Sequence, residues 1–297
     1  MPSQDPDYSS VSLLVPMEGP NNGTSFKDFS PSPKPISAFG NTKISTAQSK
    51  WGKGSGVFDG TGDYLTTSDQ SGLTFGTDSI TIEFHIFPTT VSGYHALVDF
   101  RPAGSSGNYL VIDMLNAAIR VLVGSTVKIT QSGTLSANTW AHVRLAKNGS
   151  SATLFVNANS FGSASISESL LVGASRPIIG VSGFDYLYGY AGYMQDLRIY
   201  KGVAHGSGYP VPGRLVIPHF PDYGPVVAVG NNVTVSGNGA GDYVAVIDAT
   251  TKELVKLAEP DTNGDWSADV PAGEYYALYF GDGCQPICHG PYTLTVT

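Results

Sequence analysis

The stretch Ser79-Ile-Thr-Ile-Glu-Phe-His-Ile-Phe87 alternates apolar and polar residues with a period of two. Successive side chains of a β-strand point to opposite faces, so each face can be read separately. One face is apolar and carries Ile80, Ile82, Phe84 and Ile86. The other face carries Thr81, Glu83 and His85. The pattern predicts a strand that packs one side against a hydrophobic core.

Several other stretches repeat this period. Leu154 and Val156 follow a turn at Lys147-Asn-Gly-Ser150, where Asn-Gly readily adopts the positive φ of a tight hairpin. Alternating residues at 109–114 and 119–123 predict two more strands. A short strand at 11–15 is the one regular element expected in a turn-rich first 50 residues. Two antiparallel sheets packed face to face would bury these apolar rows.

Four stretches occur in an order and at a spacing that resemble a laminin-G-like, concanavalin A-type jelly roll. They are Ser55-Gly-Val-Phe-Asp-Gly-Thr-Gly-Asp-Tyr-Leu65, Ser79 to Phe87, Thr139-Trp-Ala-His-Val-Arg-Leu145 and Gly192-Tyr-Met-Gln-Asp-Leu-Arg-Ile-Tyr-Lys-Gly-Val-Ala204. The resemblance spans residues 8–215 and implies an all-β sandwich.

Two end segments of this region are most similar to the version of the fold found in tailed-bacteriophage virion proteins. They are Val11-Ser-Leu-Leu-Val-Pro-Met-Glu-Gly19 and Asp196-Leu-Arg-Ile-Tyr-Lys-Gly-Val-Ala-His205. The resemblance implies a virion component that is made in the cytoplasm of a host bacterium. Fold alone does not prove function.

Composition agrees with an all-β chain of two domains. The 297 residues include 36 glycines and 19 prolines, and only 13% are charged, which favours short strands joined by tight turns. No run of 18 apolar residues predicts a membrane span. Residues 1–8 lack the basic start and apolar core of a secretory signal. Residues 1–10 have no apolar periodicity, so we expect them to be ordered by contact with other protein.

A proline-rich segment at 216–225 predicts a stiff linker between a jelly-roll domain at 1–215 and a small β-sandwich at 226–297. Candidate strands in the second domain lie at 232–236, 243–247, 254–257, 266–270, 275–280 and 292–296. Three short motifs resemble transthyretin-like or carboxypeptidase-regulatory-like modules, namely those at 248–254, 261–266 and 271–276.

Charge is unevenly divided between the two domains. The net charge is -8, and residues 226–297 hold two bases against nine acids. Neither domain has the basic stripe that nucleic-acid binding needs. The acidic second domain suits a solvated outer surface.

No catalytic residues are predicted. Glucanases of the concanavalin fold place paired carboxylates on one strand to flank a glycosidic bond. The glutamates of the first domain are Glu18, Glu83 and Glu168, and none is paired in this way. A glycan hydrolase that uses aspartates from separate strands is the alternative function.

Calcium is the one metal that the sequence favours, because related jelly rolls often bind Ca²⁺ through carboxylates and backbone carbonyls. The matching ligands would be Asp59, Asp63 and Asp196. In the alternative interpretation Asp59 and Asp63 cap a glycine-rich turn, and Asp196 pairs with Arg198 or a backbone amide. The six histidines show no pairing typical of a transition-metal site.

The only two cysteines, Cys284 and Cys288, are separated by three residues. They would begin as thiols in a reducing cytosol. A late disulfide and two free thiols both stay open.

The run Gly183-Phe-Asp-Tyr-Leu-Tyr-Gly-Tyr-Ala-Gly-Tyr193 is the candidate ligand site. In a strand, Tyr186, Tyr188 and Tyr190 would line one face and could stack on sugar rings. Packing against a neighbouring domain or subunit is the alternative, and it is the one that aromatic enrichment at interfaces favours.

These observations predict a non-enzymatic structural protein of a bacteriophage virion, serving as a decoration, fibre or tail-associated protein. Its expected partners are other virion proteins and further copies of itself. Adhesion to host-surface glycans is the expected secondary role.

Overall fold

The computed structural model describes residues 5–52, 54–131 and 133–211 in full. It also describes the backbone of six later strands. The chain divides into two compact units, one spanning Ser3–Val211 and the other containing Pro212–Thr297.

The first unit is a sandwich of two antiparallel sheets. Sheet I has eight strands: β1 (Val11–Val15), β3 (Lys43–Ser45), β4 (Ser55–Asp59), β6 (Ile80–Pro88), β11 (Ala141–Asn148), β12 (Ser151–Val156), β13 (Asn159–Ser165) and β15 (Ala191–Lys201). Sheet II has seven strands: β2 (Ile36–Phe39), β5 (Tyr64–Thr67), β7 (Tyr94–Asp99), β8 (Leu110–Leu115), β9 (Ala118–Val123), β10 (Thr126–Thr130) and β14 (Ile178–Ile179). A single 3-10 turn at Tyr8–Ser10 precedes β1.

Non-sequential strands are neighbours in both sheets. Sheet I runs β13-β12-β11-β6-β15-β4-β3, with β1 also paired to β15. Sheet II runs β10-β9-β8-β7-β14-β5-β2. The central strand β6 therefore pairs with β11, where Glu83 lies opposite Arg144, 61 residues later, and with the distant β15.

The inner faces of the two sheets form one hydrophobic core. The predicted apolar rows lie in it, including Ile80, Ile82, Phe84, Ile86, Leu110, Ile112, Met114, Ile119, Val121, Val123, Leu154 and Val156. Full burial of each large apolar side chain contributes about 1.5–3 kcal/mol. This core confirms the prediction of an all-β sandwich of two antiparallel sheets.

The polar face of β6 differs from the expectation. A half-buried strand was predicted, yet all nine residues of β6 are buried. Other segments of the chain cover the outer face of sheet I, as described below.

Residues 5–10 make hydrogen bonds within their own domain. The Tyr200 hydroxyl donates to Asp5 Oδ2 at 2.6 Å, and the Tyr8 hydroxyl donates to the carbonyl of Phe29 at 2.8 Å. Contact of residues 1–10 with other protein stays a prediction.

The second unit contains β16 (Asn232–Val235), β17 (Tyr243–Asp248), β18 (Leu254–Ala258), β19 (Trp266–Asp269), β20 (Glu274–Phe280) and β21 (Ile287–Thr293). β16 pairs with β19, and a second sheet runs β18-β17-β20-β21. The last described strand begins at Ile287, five residues before the predicted one. The proline-rich linker at 216–225 lies outside the described residues.

Candidate functional site

The tyrosine run lies in a loop between β14 and β15. We call residues 183–189 the aromatic loop. Its backbone is not a strand, because Tyr186 and Tyr188 have φ values of 58° and 59°. The prediction that three tyrosines line one strand face is therefore wrong. Tyr190, just after the loop, is fully buried in the core.

The aromatic loop exposes large side chains at a conformational cost. Tyr188 is 52% exposed and Leu187 is 57% exposed, with Phe184 and Tyr186 exposed beside them. A bulky residue in the left-handed region costs on the order of 1–3 kcal/mol. The rings of Tyr186 and Tyr188 are only partly buried. Such strain is typical of sites that hold a side chain in place for binding.

Two buried side chains hold the start of the aromatic loop. Asp99, on the outer face of sheet II, accepts the backbone N–H of Gly183 at 2.8 Å. Arg176 donates to the carbonyl of Gly183, also at 2.8 Å. A Cβ at Gly183 would lie 2.8 Å from the carbonyl oxygen of Arg101. Glycine is therefore required here by close packing.

Backbone hydrogen bonds fix the rest of the aromatic loop. The N–H of Ala96 donates to the carbonyl of Tyr188 at 3.0 Å, and the N–H of Gly104 donates to that of Phe184 at 2.9 Å. Within the loop, the N–H of Tyr186 donates to the carbonyl of Ser182 at 2.9 Å. The exposed rings are thus presented by a backbone that is ordered before any ligand binds.

Two groups of rings flank the aromatic loop on the outer face of sheet II. In the first, Phe39 stacks on Tyr64 with centroids 4.5 Å apart, and Tyr64 lies 5.5 Å from Tyr186. In the second, Tyr188 meets Tyr94 edge-on at 4.8 Å. We call Phe39 with Tyr64 the Phe39 group, and we call Tyr94 the Tyr94 group. Tyr186 and Tyr188 belong to the aromatic loop and contact these groups.

Ion pairs lie beneath the rings. Arg101 pairs with Asp99 at 2.6 Å, and Arg120 pairs with Asp113 at 2.8 Å. Burial raises the pKa of Asp113, and the hydrogen bonds from Arg120 oppose that rise. Burial, together with the charge of Asp113, raises the pKa of Tyr94 as well, so its hydroxyl stays protonated.

The predicted calcium ligands do not converge. Asp63 is buried and accepts the backbone N–H groups of Asn41 and Asp59. Asp59 is exposed and accepts the N–H of Thr61 at 2.7 Å. On β15, Asp59 lies opposite Ala191, which is five residues before Asp196. Five residues span about 16 Å along a strand, so Asp196 lies away from Asp59.

The alternative interpretation of these aspartates fits the geometry better. Asp59 and Asp63 hold the turn, and the charge of Asp196 opposes the lowering of the Arg198 pKa by burial, so that this pKa rises overall. In the fully described part of the chain, no group of three or more His, Cys, Asp and Glu side chains is arranged to hold a metal.

The three glutamates are far from forming a catalytic pair. Glu83 is buried beside His142, with Oε2 to Nε2 at 3.2 Å. Glu18 accepts the side-chain amide of Gln195 at 3.1 Å. Glu168 is in an ion pair with Lys128.

The sequence did not predict the buried row of polar side chains on the outer face of sheet I, which we call the polar ladder. Glu83 lies opposite Arg144 on β11 and Arg198 on β15, and His85 lies opposite His142 and Gln195. All six residues are buried. The alternation of β6 placed Glu83 and His85 on one face, but nothing in the sequence showed which strands flank it.

Distant segments cover this ladder. Trp51 meets His85 edge-on at 5.8 Å. Arg144 donates to the carbonyls of Gly206, Tyr209 and Pro210 at 3.1–3.3 Å. The cover excludes solvent, so the ladder offers no open binding surface.

The cysteine prediction lies outside the fully described residues. The backbone of Cys288 belongs to β21, and Cys284 precedes it. A disulfide between Cys284 and Cys288 and two free thiols therefore both stay predictions.

Comparison with known proteins agrees with this fold. Residues 59–206 match the sequence model of the Laminin_G_3 family, described as the concanavalin A-like lectin/glucanases superfamily. The chain therefore contains a concanavalin A-like domain. No curated protein sequence gives a significant match.

Solved structures of similar fold include domain 4 of AbnA, a GH43 extracellular arabinanase from Geobacillus stearothermophilus, in complex with arabinotriose. It is 16% identical with a TM-score of 0.50, and the alignment covers 66% of this chain and 94% of that chain. The ligand binding domain of botulinum neurotoxin serotype D in complex with N-acetylneuraminic acid is 11% identical with a TM-score of 0.52, covering 91% and 73%.

The binding domain of Paraclostridial Mosquitocidal Protein 1 is 13% identical with a TM-score of 0.51, covering 91% of this chain and 64% of that chain. Identities this low show the fold alone. The described residues include no helix long and apolar enough to span a membrane.

Proposed function

We propose that this chain is a non-enzymatic glycan-binding protein whose binding surface is the aromatic loop and its two ring groups. The observation that carries the proposal is the exposure of Tyr186 and Tyr188 on strained backbone. Tyrosine rings offer an apolar face and a polar edge, which is the chemistry that a sugar ring and its hydroxyls require. The similar folds solved with arabinotriose and N-acetylneuraminic acid support this proposal.

The proposed setting is the surface of a bacteriophage virion, as a decoration, fibre or tail-associated protein. The motifs at 11–19 and 196–205 support this setting through their resemblance to virion proteins. The acidic residues 226–297 suit an outward, solvated position. In this setting the partners are other virion proteins and further copies of this chain. Immunogold labelling of intact particles tests it, and particles without label would contradict it.

A glycan array probed with the full chain tests the binding function. We expect retention of a subset of glycans by the wild type. Tyr188→Asn should weaken this retention about tenfold, because it removes an exposed ring while asparagine tolerates the positive φ. Val127→Ala, which shortens an exposed side chain on β10, is the matched control and should bind normally.

The same panel separates binding from hydrolysis. We expect no released sugar, because none of the three glutamates forms a catalytic pair in the first unit. Release of shorter products from any polysaccharide would favour the alternative function, a phage-borne or secreted glycan hydrolase. Failure to retain any glycan would refute the binding function itself.

A further inference from the structure

The Phe39 group and the Tyr94 group stand on strands that are not neighbours. Tyr64 belongs to β5 and Tyr94 to β7, and β14 lies between these strands in sheet II. Neighbouring strands lie about 4.8 Å apart, so the two groups are based roughly 10 Å apart across the sheet. A single sugar ring is too small to contact both groups. Successive rings of an oligosaccharide would reach from one to the other.

The aromatic loop joins the two groups into one surface. Tyr186 contacts the Phe39 group and Tyr188 contacts the Tyr94 group. Leu187 lies between them and is among the most exposed large apolar residues of the first unit. The surface therefore runs continuously from β2 to β7 and is elongated, as a linear ligand requires.

The charged side chains around this surface are equal in number, three positive and three negative. The loop and its support contain the arginines Arg101, Arg120 and Arg176 and the aspartates Asp99, Asp113 and Asp185. Arg101 and Arg120 are in ion pairs with Asp99 and Asp113. Arg176 is 3% exposed and donates to backbone carbonyls.

The charge that reaches the surface within the loop is negative. Asp185 is exposed between Phe184 and Tyr186, and its Oδ1 accepts the N–H of Leu187 at 3.1 Å. A ligand carboxylate would meet this like charge, while the three arginines are already engaged. Neutral hydroxyls meet no such repulsion, and Asp185 could accept hydrogen bonds from them.

We infer that the aromatic loop binds a neutral oligosaccharide that spans both ring groups and that it discriminates against anionic glycans. This inference rests on the proposed glycan-binding function and adds the chemical class and the minimum extent of the ligand. The specificity comes from ring spacing and from charge balance.

Calorimetry on the full chain with glycan ladders tests the inference. The probes are arabino-, manno- and gluco-oligosaccharides from monosaccharide to hexasaccharide, with lactose against sialyllactose and oligogalacturonides as anionic comparisons. For the series that binds, we expect affinity to rise about tenfold or more from monosaccharide to tetrasaccharide, as a second ring group is engaged. Anionic members should bind more weakly than neutral members of equal length.

Two variants separate the ring groups. Tyr186→Asn removes the loop ring that contacts the Phe39 group, and Tyr188→Asn removes the loop ring that contacts the Tyr94 group. Each variant should lose most of the gain in affinity with oligosaccharide length. In at least one of the two variants, the affinity for the monosaccharide should stay within about twofold of the wild-type value. Val127→Ala should retain the full gain.

The outcomes are distinguishable. Binding without any gain with length, or tighter binding of anionic members that weakens with salt, would overturn this inference and leave glycan binding intact. Absence of binding to every glycan would refute the proposed function as well. Retention on phosphatidylcholine vesicles that both variants abolish, without glycan binding, would assign the surface to a lipid partner and overturn both.

Discussion

Tyr188 and Tyr190 are two residues apart and have opposite roles. Tyr190 is fully buried, and its hydroxyl donates to the carbonyl of Tyr193 at 3.0 Å. Tyr190→Ala should lower the free energy of unfolding by about 3–5 kcal/mol, because it leaves a large cavity. Tyr188→Asn should change it by less than about 1 kcal/mol. Urea denaturation of both variants measures this contrast, and equal losses would show that the Tyr188 ring is part of the core.

Gly183 is required where the aromatic loop meets sheet II. Gly183→Ala would press a methyl group against the carbonyl of Arg101, so we expect a loss of about 1–3 kcal/mol and weaker glycan retention. Gly206→Ala is the matched control, because its Cβ would have no atom within 4 Å. Normal stability and retention in Gly183→Ala would contradict the proposed role of this contact.

Asp63 ties a turn together through two backbone amides. Asp63→Ala should cost about 1–3 kcal/mol, since two backbone amides lose their charged acceptor. We expect the same loss in calcium and in EDTA. A melting temperature of the wild-type protein that falls in EDTA would instead support the predicted calcium site, because an ion that binds the native state stabilises it.

At the scale of elements, β6 supports the fold with both faces. Its inner face builds the core, and its outer face carries the buried polar ladder. Burial alone would raise the pKa of Glu83, but the hydrogen bond from His142 and the charge of Arg198 outweigh it and hold this pKa below its usual range. Burial lowers the pKa of His85 to about 2, and the positive charge nearby adds to the effect.

This environment predicts a pH dependence of stability. The unfolded chain would protonate His85 near pH 6.5, whereas the folded chain would do so only near pH 2. Between these values the unfolded state binds the extra proton, so the free energy of unfolding falls as the pH is lowered, by up to about 1.4 kcal/mol per pH unit. His85→Phe should remove this part of the slope. Denaturation at a series of pH values measures it, and an unchanged slope would show that His85 is charged in the folded state.

At the scale of the whole molecule, the first unit contains its own core and the entire candidate site. We predict that residues 1–211 expressed alone fold cooperatively and retain glycans with the affinity of the full chain. Segments from both ends of this unit close over the ladder, through Asp7 and His205 at 3.0 Å and through the contacts of Arg144. A fragment that aggregates, or binds at least tenfold more weakly, would show that the second unit completes the first.

Much of the first unit could be predicted from local pattern. Strands such as β6, β8 and β9 follow from period-two alternation. The hairpin after β11 also lies where turn chemistry predicted it, although its two turn residues are Gly149 and Ser150 and only Gly149 has positive φ. The prediction that the tyrosines line one face of a strand was wrong for a local reason, because alternating tyrosines fit a strand as well as they fit a loop. Two left-handed residues in this segment break that pattern, and the start of the loop is held in part by Asp99, which lies on β7 and is 84 residues from Gly183.

The sequence by itself determined the all-β class and the positions of the core strands along the chain, because these depend on residue type and short spacing. Only the tertiary structure decided which tyrosines meet solvent, that Asp196 lies away from Asp59 and Asp63, and that the polar face of β6 is covered. These features depend on strand neighbours and register between segments as distant as Asp5 and Tyr200. A one-residue change of register reverses which face each side chain occupies, so local pattern alone cannot fix them.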